Sequence, residues 1–417
     1  MDAAGLDKPF IHAVVLKTAP FFASVGLPAI LPDISEDLVK FDVVAHCWGG
    51  MASVVSVSVP SIDPLSTVSF VAKCVRIVRT ESDDVTSIGD AKRLQSYRQE
   101  SFFYTNGHVE VLLRQGCCVP RPLIVFEQTL HSHYFVICMT RLSGRAASSM
   151  DRDHTHAALT WLARLHAVYW GKQRSAAAVQ NGLQEQGGHW YLDARLLELE
   201  AMPNDGWQGR LKMAARAIDW RLKNDVLQTI IHGDAKCANM LFDVDSGDDN
   251  QGFVCQMMDF QYIGRSSASK DLAYALTCAC DVPQEEESLL HHYHSELCGA
   301  LRAHGAPSLP SFSDLSDSLA LAYADLGRWM SGCNALPPPA SDSPGFDAKT
   351  GWGWWGNPIQ EKIERLVLDR FITSATVLTH VLHILLILLP RLDGGIMLES
   401  EEAYFHAMRR AFPVSGA

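Results

Sequence analysis

The first part of the chain alternates apolar and polar residues with the period of a β-strand. In residues 55–59, which read VSVSV, every second side chain is apolar until Pro60 ends the run, as expected of a half-buried strand. Residues 91–104 have a helical composition and are followed by the turn signal Asn106-Gly107. Further apolar runs lie at residues 41–45, 68–78, 123–126 and 134–139. The pattern predicts a sheet of about five strands with one helix.

After Ser143-Gly144 the apolar residues recur with a helical period. Residues 155–170, 191–201 and 211–227 show this spacing, which is typical of amphipathic helices. Short strands are predicted only around residues 230–260, on either side of an acidic turn at 243–252. The sequence therefore predicts an α+β chain of two lobes, a small sheet-rich lobe at residues 1–142 and a large helical lobe at 143–417.

Length, composition and charge narrow the class of protein. A chain of 417 residues exceeds one ordinary core, and a hydrophobic fraction of 47% excludes a disordered chain. The formal charge, 35 − 47 = −12, disfavours a general nucleic-acid binder, which needs a basic face. The 11 cysteines are scattered without a CxxC pair, and no signal peptide is evident at the N-terminus. We therefore expect reduced thiols and a cytoplasmic location.

One segment approaches the length of a membrane span. Residues 372–389 are strongly apolar but contain four hydroxyl residues together with His380 and His383. A buried helix fits this composition better than a bilayer-spanning one, so no membrane span is expected. The sequence leaves the oligomeric state open.

The most informative stretch is residues 232–239, which read HGDAKCAN, followed by Asp259-Phe260-Gln261. Phosphoryl transfer from a nucleotide requires a carboxylate near the accepting hydroxyl, an amide and a second carboxylate on magnesium, and cations on the phosphates. Asp234 and Asn239 lie five residues apart on one predicted loop, and the hairpin that follows can return Asp259 beside them. This is the HxDxxxxN-plus-DF pattern of the protein-kinase-like fold.

Over residues 40–280 the chain resembles the aminoglycoside phosphotransferase and choline kinase-like superfamily, particularly its ecdysteroid-kinase-like (CHK kinase-like) branch. The catalytic motifs carry the resemblance, and the match in the small lobe is looser. The matching stretches are IHGD at 231–234 with Asn239, MDFQ at 258–261, DLAY at 271–274, LARLHAVYW at 162–170, GGMAS at 49–53, Lys73 and ESFFY at 100–104.

The resemblance implies a two-lobed protein-kinase-like fold with ATP and Mg²⁺ in the cleft between the lobes, and it implies a role for each matching position. Asp234 would be the catalytic base, with Asn239 and Asp259 on Mg²⁺. Lys73 would contact the α- and β-phosphates and pair with Glu100. The other implied roles are phosphate cover for Gly49, Gly50 and Ser53, the adenine hinge for residues 138–142 with Met139, and structural support of the catalytic loop for His232 and Asp271.

Three departures from the pattern of the family affect the functional reading. Lys236 stands two residues after the base, where this branch more often has an aromatic residue or histidine, and we assign it to the γ-phosphate. The hinge lacks the acidic residue common in relatives, so GTP remains open beside ATP. Asp271 follows Asp259 by only twelve positions, too few for the activation segment on which protein kinases dock peptides. The implied acceptor is therefore a small molecule.

Several residues also have plain structural readings. Lys73 could face solvent, although the run around it is apolar, and His166 is expected to be a hydrogen-bonded core histidine. The acidic turn after Asp243 departs from a calcium loop, and the adjacent histidines at 291, 292 and 294 point to different helix faces. Trp352, Trp354 and Trp355 form a candidate aromatic box for a cationic substrate, with core or lid packing as the alternative.

The sequence thus favours a small-molecule kinase that phosphorylates a hydroxyl group. An amino alcohol such as choline or ethanolamine, a sterol and an aminoglycoside-like compound all remain open as acceptors. A nucleotide-binding pseudokinase or scaffold is the alternative from another class, and a protein kinase is less favoured. Completeness of the lysine and metal-binding set argues for an enzyme.

Overall fold

The computed structural model describes residues 6–47, 52–63, 65–77, 88–129, 133–147, 149–244, 252–279, 282–335 and 375–414. Within these residues the chain divides into two compact units. The sheet unit contains residues 6–109 and 119–143, and the helical unit contains residues 110–118, 144–335 and 375–414. Each unit is described by itself below.

The sheet unit is built on one antiparallel sheet of five strands in the order β1-β2-β3-β5-β4. The strands and helices in this part of the chain are α1 (Lys8–Thr18), β1 (Lys40–Cys47), β2 (Ala52–Pro60), β3 (Thr67–Ile77), α2 (Ile88–Thr105), α3 (His108–Arg114), β4 (Pro122–Thr129) and β5 (His133–Thr140). The short helix α3 belongs mostly to the helical unit. The five predicted strands are confirmed. The period-two pattern of β2 is borne out by burial, since Val55, Val57 and Val59 are all buried.

The prediction of one helix in this part of the chain was wrong, because α1 also forms beside the sheet and α3 follows α2. Helix α1 begins after Asp7, whose carboxylate accepts a hydrogen bond from the Phe10 backbone N–H and so satisfies one of the free donors at the helix end. The helix packs its apolar face on the sheet, with the ring centroids of Phe10 and Tyr134 4.6 Å apart. These contacts lie far apart in the sequence, so the local pattern of residues 8–18 did not reveal them.

The helical unit contains nine further helices and two small sheets within the described residues. The strands β6 (Arg145–Ala146), β8 (Met240–Val244) and β9 (Phe253–Met257) form one sheet, and β7 (Gln228–Ile231) pairs with β10 (Gly264–Ser267) in the other. The helices are α4 (Arg152–Val168), α5 (Lys172–Gln180), α6 (Leu196–Ala201), α7 (Gly206–Lys223), α8 (Ser269–Leu276), α9 (Val282–Ala303), α10 (Phe312–Ala335), α11 (Ala375–Asp393) and α12 (Glu401–Ala411).

The predicted helix at residues 191–201 is broken into a short 3₁₀ turn, Leu192–Ala194, and α6. The break lies at Arg195, whose backbone leaves the helical region at φ −131° and ψ 39°. Its side chain donates to the His189 carbonyl oxygen at 2.7 Å. The break therefore coincides with a side-chain hydrogen bond to the loop that precedes it.

The small sheets place the catalytic segments. Strand β7 is buried along its whole length and leads directly into residues 232–239, while β8 and β9 form the predicted hairpin, with Met240 opposite Met257. The hairpin returns the chain beside its own start, where the Met258 N–H donates to the Asn239 carbonyl oxygen at 3.0 Å. No helix within the described residues is both long and apolar enough to cross a membrane.

Candidate active site

Lys73 lies in the centre of the sheet unit, on the middle strand β3. Its register partners are Val54 on β2 and Ile137 on β5, and its side chain is only 4% exposed. Its ammonium donates to Glu100 Oε2 on α2 at 2.6 Å and lies 5.2 Å from the centroid of the Tyr97 ring. A solvated lysine is therefore excluded, since this ammonium is held in a buried ion pair.

The other predicted nucleotide-binding residues of the sheet unit are described only in part. Ser53 is buried on β2 opposite Cys74 of β3, and Met139 is buried on β5. The neighbouring Thr140 N–H donates to the Arg121 carbonyl oxygen at 2.8 Å, so this backbone is tied to β4. Gly49, Gly50, Trp352, Trp354 and Trp355 lie outside the described residues, and their assignments stay predictions.

The predicted catalytic loop, residues 232–239 of the helical unit, is anchored by the carboxylate of Asp271, in the first turn of α8. Asp271 Oδ2 accepts a hydrogen bond from the His232 N–H at 2.7 Å, and Oδ1 accepts one from the Gly233 N–H at 2.9 Å. The His166 ring, fully buried on α4, places Nε2 3.3 Å from Oδ2 and Nδ1 2.8 Å from the Tyr293 hydroxyl. Asp271 thus satisfies two backbone donors of the loop, and His166 is a core histidine with partners at both ring nitrogens.

The imidazole ring of His232 stabilises the loop through hydrogen bonds at both of its nitrogens. Its Nδ1 accepts the Asp234 N–H at 3.3 Å, which leaves the ring proton on Nε2, 3.0 Å from the Met258 carbonyl oxygen. Gly233 has a φ of +83°, and a Cβ at this position would lie 2.2 Å from the Tyr262 carbonyl oxygen. Only glycine allows this approach of the two backbones.

The carboxylate of Asp234 is engaged on one oxygen only. Oδ2 lies 3.0 Å from Lys236 Nζ and accepts a hydrogen bond from Asn239 Nδ2 at 2.9 Å. Oδ1 is buried and has no hydrogen-bond partner among the described residues. A buried acceptor without a partner is costly in a folded protein, so Oδ1 is a candidate position for contact with a ligand.

The charges of Asp234 and Lys236 stabilise each other. Burial raises the pKa of the Asp234 carboxyl, but the Lys236 ammonium and His189 outweigh burial and hold it below its ordinary value. Burial also lowers the pKa of Lys236, and the Asp234 carboxylate, with smaller contributions from Tyr274 and Asp259, raises it above its ordinary value. Both groups are therefore charged at neutral pH.

Asp259 follows β9 and the backbone contact between Met258 and Asn239. It has a φ of +69°, in the left-handed region, the only such value for a non-glycine residue among the described part of the chain. Its Oδ1 accepts a hydrogen bond from Gln261 Nε2 at 2.8 Å. A residue held in this conformation costs free energy and typically marks a functional site.

The donor set of Asn239 and Asp259 fits Mg²⁺. The amide nitrogen of Asn239 is committed to Asp234, which leaves its carbonyl oxygen as a ligand, and Asp259 adds a carboxylate. The described residues contain no cluster of three or more His, Cys, Asp or Glu side chains suited to a metal. Mg²⁺ is commonly held by one or two protein oxygens together with water and substrate phosphates, so this sparse set is sufficient.

The structure adds one residue to the site that the sequence did not reveal, His189. It lies in the loop between α5 and α6, and its Nδ1 is 3.6 Å from Asp234 Oδ1. The rings of Tyr262, Tyr274 and Trp329 surround the imidazole at centroid distances of 5.1 to 5.6 Å. Burial lowers the pKa of His189 to about 4, although the Asp234 carboxylate opposes this shift. The imidazole is therefore neutral at pH 7.

The part of the chain that contains the predicted catalytic and metal-binding residues matches a known protein family. The model of the ecdysteroid kinase-like family matches residues 207–306, the stretch that contains Asp234, Asn239, Asp259 and Asp271. No curated protein sequence matches the chain significantly.

Solved structures of small-molecule kinases resemble the chain over most of its length. A choline kinase from Cryptosporidium parvum is 11% identical with a TM-score of 0.52, covering 94% of this chain and 98% of its own. An ethanolamine kinase from Plasmodium vivax is 12% identical with a TM-score of 0.44, covering 88% of this chain and 90% of its own. Aminoglycoside 2′-phosphotransferase-IIIa, solved with GDP, is 13% identical with a TM-score of 0.45, covering 88% and 99%.

These findings confirm two predictions from the sequence. The resemblance to the aminoglycoside phosphotransferase and choline kinase-like superfamily is confirmed by the match of the ecdysteroid kinase-like model to residues 207–306 and by the fold shared with the choline kinase. The fold is the two-lobed protein-kinase-like fold, with a small antiparallel sheet in the N-terminal lobe and a large helical C-terminal lobe. At these identities the likeness to solved structures shows the fold, and the chemistry rests on the residues of this chain.

Proposed function

We propose that this protein is an ATP-dependent small-molecule kinase that transfers the γ-phosphate to a hydroxyl group of a small metabolite. The observation that carries the proposal is the half-engaged carboxylate of Asp234. One oxygen is held by Lys236 and Asn239, and the other, buried and without a hydrogen-bond partner among the described residues, can accept the proton of a substrate hydroxyl. A base in phosphoryl transfer requires this geometry.

Each charged group of the proposed site has one task. Asp234 orients the hydroxyl and takes up its proton, while Asn239 and Asp259 hold Mg²⁺, which neutralises charge on the phosphates. Lys73, fixed by Glu100 at 2.6 Å, and Lys236 stabilise phosphate oxygens. Most of the catalytic effect then comes from positioning and from fixed charges.

The short span between Asp259 and Asp271 supports a small-molecule acceptor. It consists of the backbone turn 260–263, the four residues of β10 and the start of α8, and it contains no long loop on which a peptide could dock. Nine of the cysteines in the described part of the chain are free thiols, which agrees with the cytoplasmic location that we propose.

The test is an ATP-consumption screen across hydroxylated metabolites, including choline, ethanolamine, sterols and aminoglycosides, with Asp234→Asn as the blank. We expect acceptor-dependent ADP formation that requires Mg²⁺ and is lost in the variant. Binding of Mg-ATP without turnover of any acceptor would favour the pseudokinase or scaffold. Strong phosphorylation of peptides would favour a protein kinase, and full activity of Asp234→Asn would refute the assignment of the base.

A further inference from the structure

Helix α2 of the sheet unit presents two buried side chains to Lys73. Tyr97 and Glu100 lie one turn apart, on the same face of the helix, and are 2% and 1% exposed. Glu100 Oε2 accepts a hydrogen bond from the Lys73 ammonium at 2.6 Å, and the ammonium lies over the Tyr97 ring, 5.2 Å from its centroid. One helix thus gives Lys73 two partners of different chemistry, a carboxylate and the face of an aromatic ring.

The register of the sheet explains why the ring meets the ammonium. Side chains two residues apart in a strand point to the same face, so Lys73 and Val75 share one face of β3. Val75 lies opposite Ala52 on β2 and opposite Phe135 on β5. Tyr97 packs in one apolar cluster with these three residues. The ring therefore rests on the cross-strand row next to the row that contains Lys73.

The two partners act on the ammonium in different ways. An ammonium has three N–H donors, and the hydrogen bond to Glu100 uses one of them. The Tyr97 ring attracts the positive charge through the quadrupole of its π-system, and this attraction requires no particular N–H. A buried ammonium is costly unless its charge is compensated. The ring supplies part of this compensation without competing with oxygen atoms for the N–H donors.

The ring also restricts the position of the ammonium. The side chain of Lys73 is a flexible four-carbon chain, and a hydrogen bond to one oxygen of Glu100 lets the ammonium turn about that oxygen. The face of Tyr97 is a second fixed point. Both points belong to α2, so they keep a constant separation. The effect of a fixed charge on phosphate depends on where it is held, and here two contacts define that place.

We propose that Tyr97 is a positioning residue of the nucleotide site, whose ring holds the Lys73 ammonium by a cation–π interaction in the place from which it binds nucleotide phosphate. This inference rests on the proposed function, which assigns Lys73 to the phosphates. Tyr97 acts through Lys73, and its contribution should follow the electron density of the ring and not only its size.

The test changes the electron density of the ring while its shape stays nearly constant. Position 97 is occupied in turn by phenylalanine and by phenylalanine with one, two or three ring fluorines, and the Kd of Mg-ATP is measured by isothermal titration calorimetry. Fluorine withdraws electrons from the face of the ring and weakens its attraction for a cation. Tyr97→Phe should retain the affinity of the wild type within about twofold, and the trifluorinated ring should weaken it by about 5- to 10-fold, with intermediate values between them.

A double-mutant cycle identifies the cation. Lys73→Met keeps a side chain of similar length and removes its charge, so it should weaken Mg-ATP binding by itself. In this background fluorination at position 97 should change the Kd by less than about twofold, because the two substitutions remove the same interaction.

The matched control is Tyr104, two turns further along α2. Its ring is 1% exposed and packs on Phe103, with the ring centroids 5.5 Å apart. The same phenylalanine and fluorophenylalanine series at position 104 should leave the Kd of Mg-ATP unchanged. Thermal unfolding without nucleotide establishes that each variant is folded.

The outcomes separate this proposal from the proposed function. Equal affinities for the unfluorinated and trifluorinated rings at position 97 overturn the role of Tyr97 and leave the kinase assignment standing. The same holds for a loss of equal size in the Lys73→Met background or at position 104. A wild-type protein that does not bind Mg-ATP overturns both proposals.

Discussion

The helical unit contains two buried carboxylate–histidine pairs that differ in one respect. Asp271 lies 3.3 Å from His166, and both of its oxygens accept backbone donors. Asp234 lies 3.6 Å from His189, and the oxygen that faces this histidine has no hydrogen-bond partner among the described residues. Both carboxylates are buried, so hydrogen bonding separates Asp271, which builds the loop, from Asp234, which we propose performs chemistry.

The comparison teaches how a buried charge is used. A fully bonded carboxylate lowers the free energy of the fold, because each of its oxygens satisfies a donor that would otherwise be buried alone. A partly bonded carboxylate costs free energy, and the cost is recovered when a substrate supplies the missing donor. Asp271 and Asp234 should therefore respond differently to the same substitution.

The largest effect is expected from Asp234→Asn. The amide cannot take up a proton, so kcat should fall by about 10²–10⁴-fold, while the free energy of unfolding should fall by less than in Asp271→Asn, because Lys236, at 27% exposure, can turn toward solvent when its partner is lost. Steady-state kinetics and urea denaturation measure the two quantities. A large loss of stability without loss of kcat would reverse the roles of the two aspartates.

Asp271→Asn should show the opposite balance. Its amide NH₂ would face the N–H of His232 or Gly233, leaving a buried donor unpaired, and the free energy of unfolding should fall by about 3–5 kcal/mol. Activity should fall with it, because the catalytic loop loses its anchor. Urea denaturation provides the measurement, and unchanged stability would show that the loop is held by other contacts.

The burial of His189 can be tested through the pH dependence of the free energy of unfolding. The folded pKa of His189 is about 4, below its ordinary value of 6.5, so the unfolded chain takes up a proton first as the pH falls. Stability from this residue is therefore lost between about pH 6.5 and 4, by about 3 kcal/mol in total. His189→Leu should reduce the loss of stability between pH 7 and 4.5, measured by urea denaturation. An unchanged acid slope would mean that His189 is not buried in its neutral form.

The smallest effect is expected at Gly233, which directly precedes Asp234 and donates its N–H to Asp271. Gly233→Ala places a Cβ 2.2 Å from the Tyr262 carbonyl oxygen, whereas a Cβ at Gly171, which also has a positive φ of +89°, meets no atom within 4 Å. Gly233→Ala should cost about 1–3 kcal/mol more than Gly171→Ala. Equal costs, measured by thermal or urea denaturation, would show that the close approach at Gly233 is not required.

The local pattern predicted the strands better than the helices near the N-terminus. Alternation of apolar residues was enough for β2, because one face of a strand is buried along its whole length. Helix α1 was missed since its residues are stabilised by packing of Phe10 on Tyr134, a contact between distant positions. The helix at residues 191–201 was predicted across a break that coincides with the hydrogen bond from Arg195 to His189.

The residues of the candidate site were likewise predicted from the sequence only in part. The motif of residues 232–239 with Asp259 pointed to Asp234, Lys236 and Asn239, and the structure brings these three together around one carboxylate oxygen. His189 had no motif of its own. The only local signal was the preceding Gly187-Gly188 pair, where a Cβ on Gly187 would lie 2.6 Å from the Gly264 carbonyl oxygen, a sign of close backbone packing.

The sequence by itself indicated the kind of chemistry that we propose, because the types and spacing of the residues that would handle phosphate, metal and proton are local properties of the chain. The tertiary structure decided which buried atoms are satisfied. The hydrogen bonds of Asp271 and the approach of His189 to Asp234 join segments 38 to 105 residues apart in the chain, whose meeting is set by packing of the whole unit. The atoms that await a substrate could therefore be found only in the folded protein.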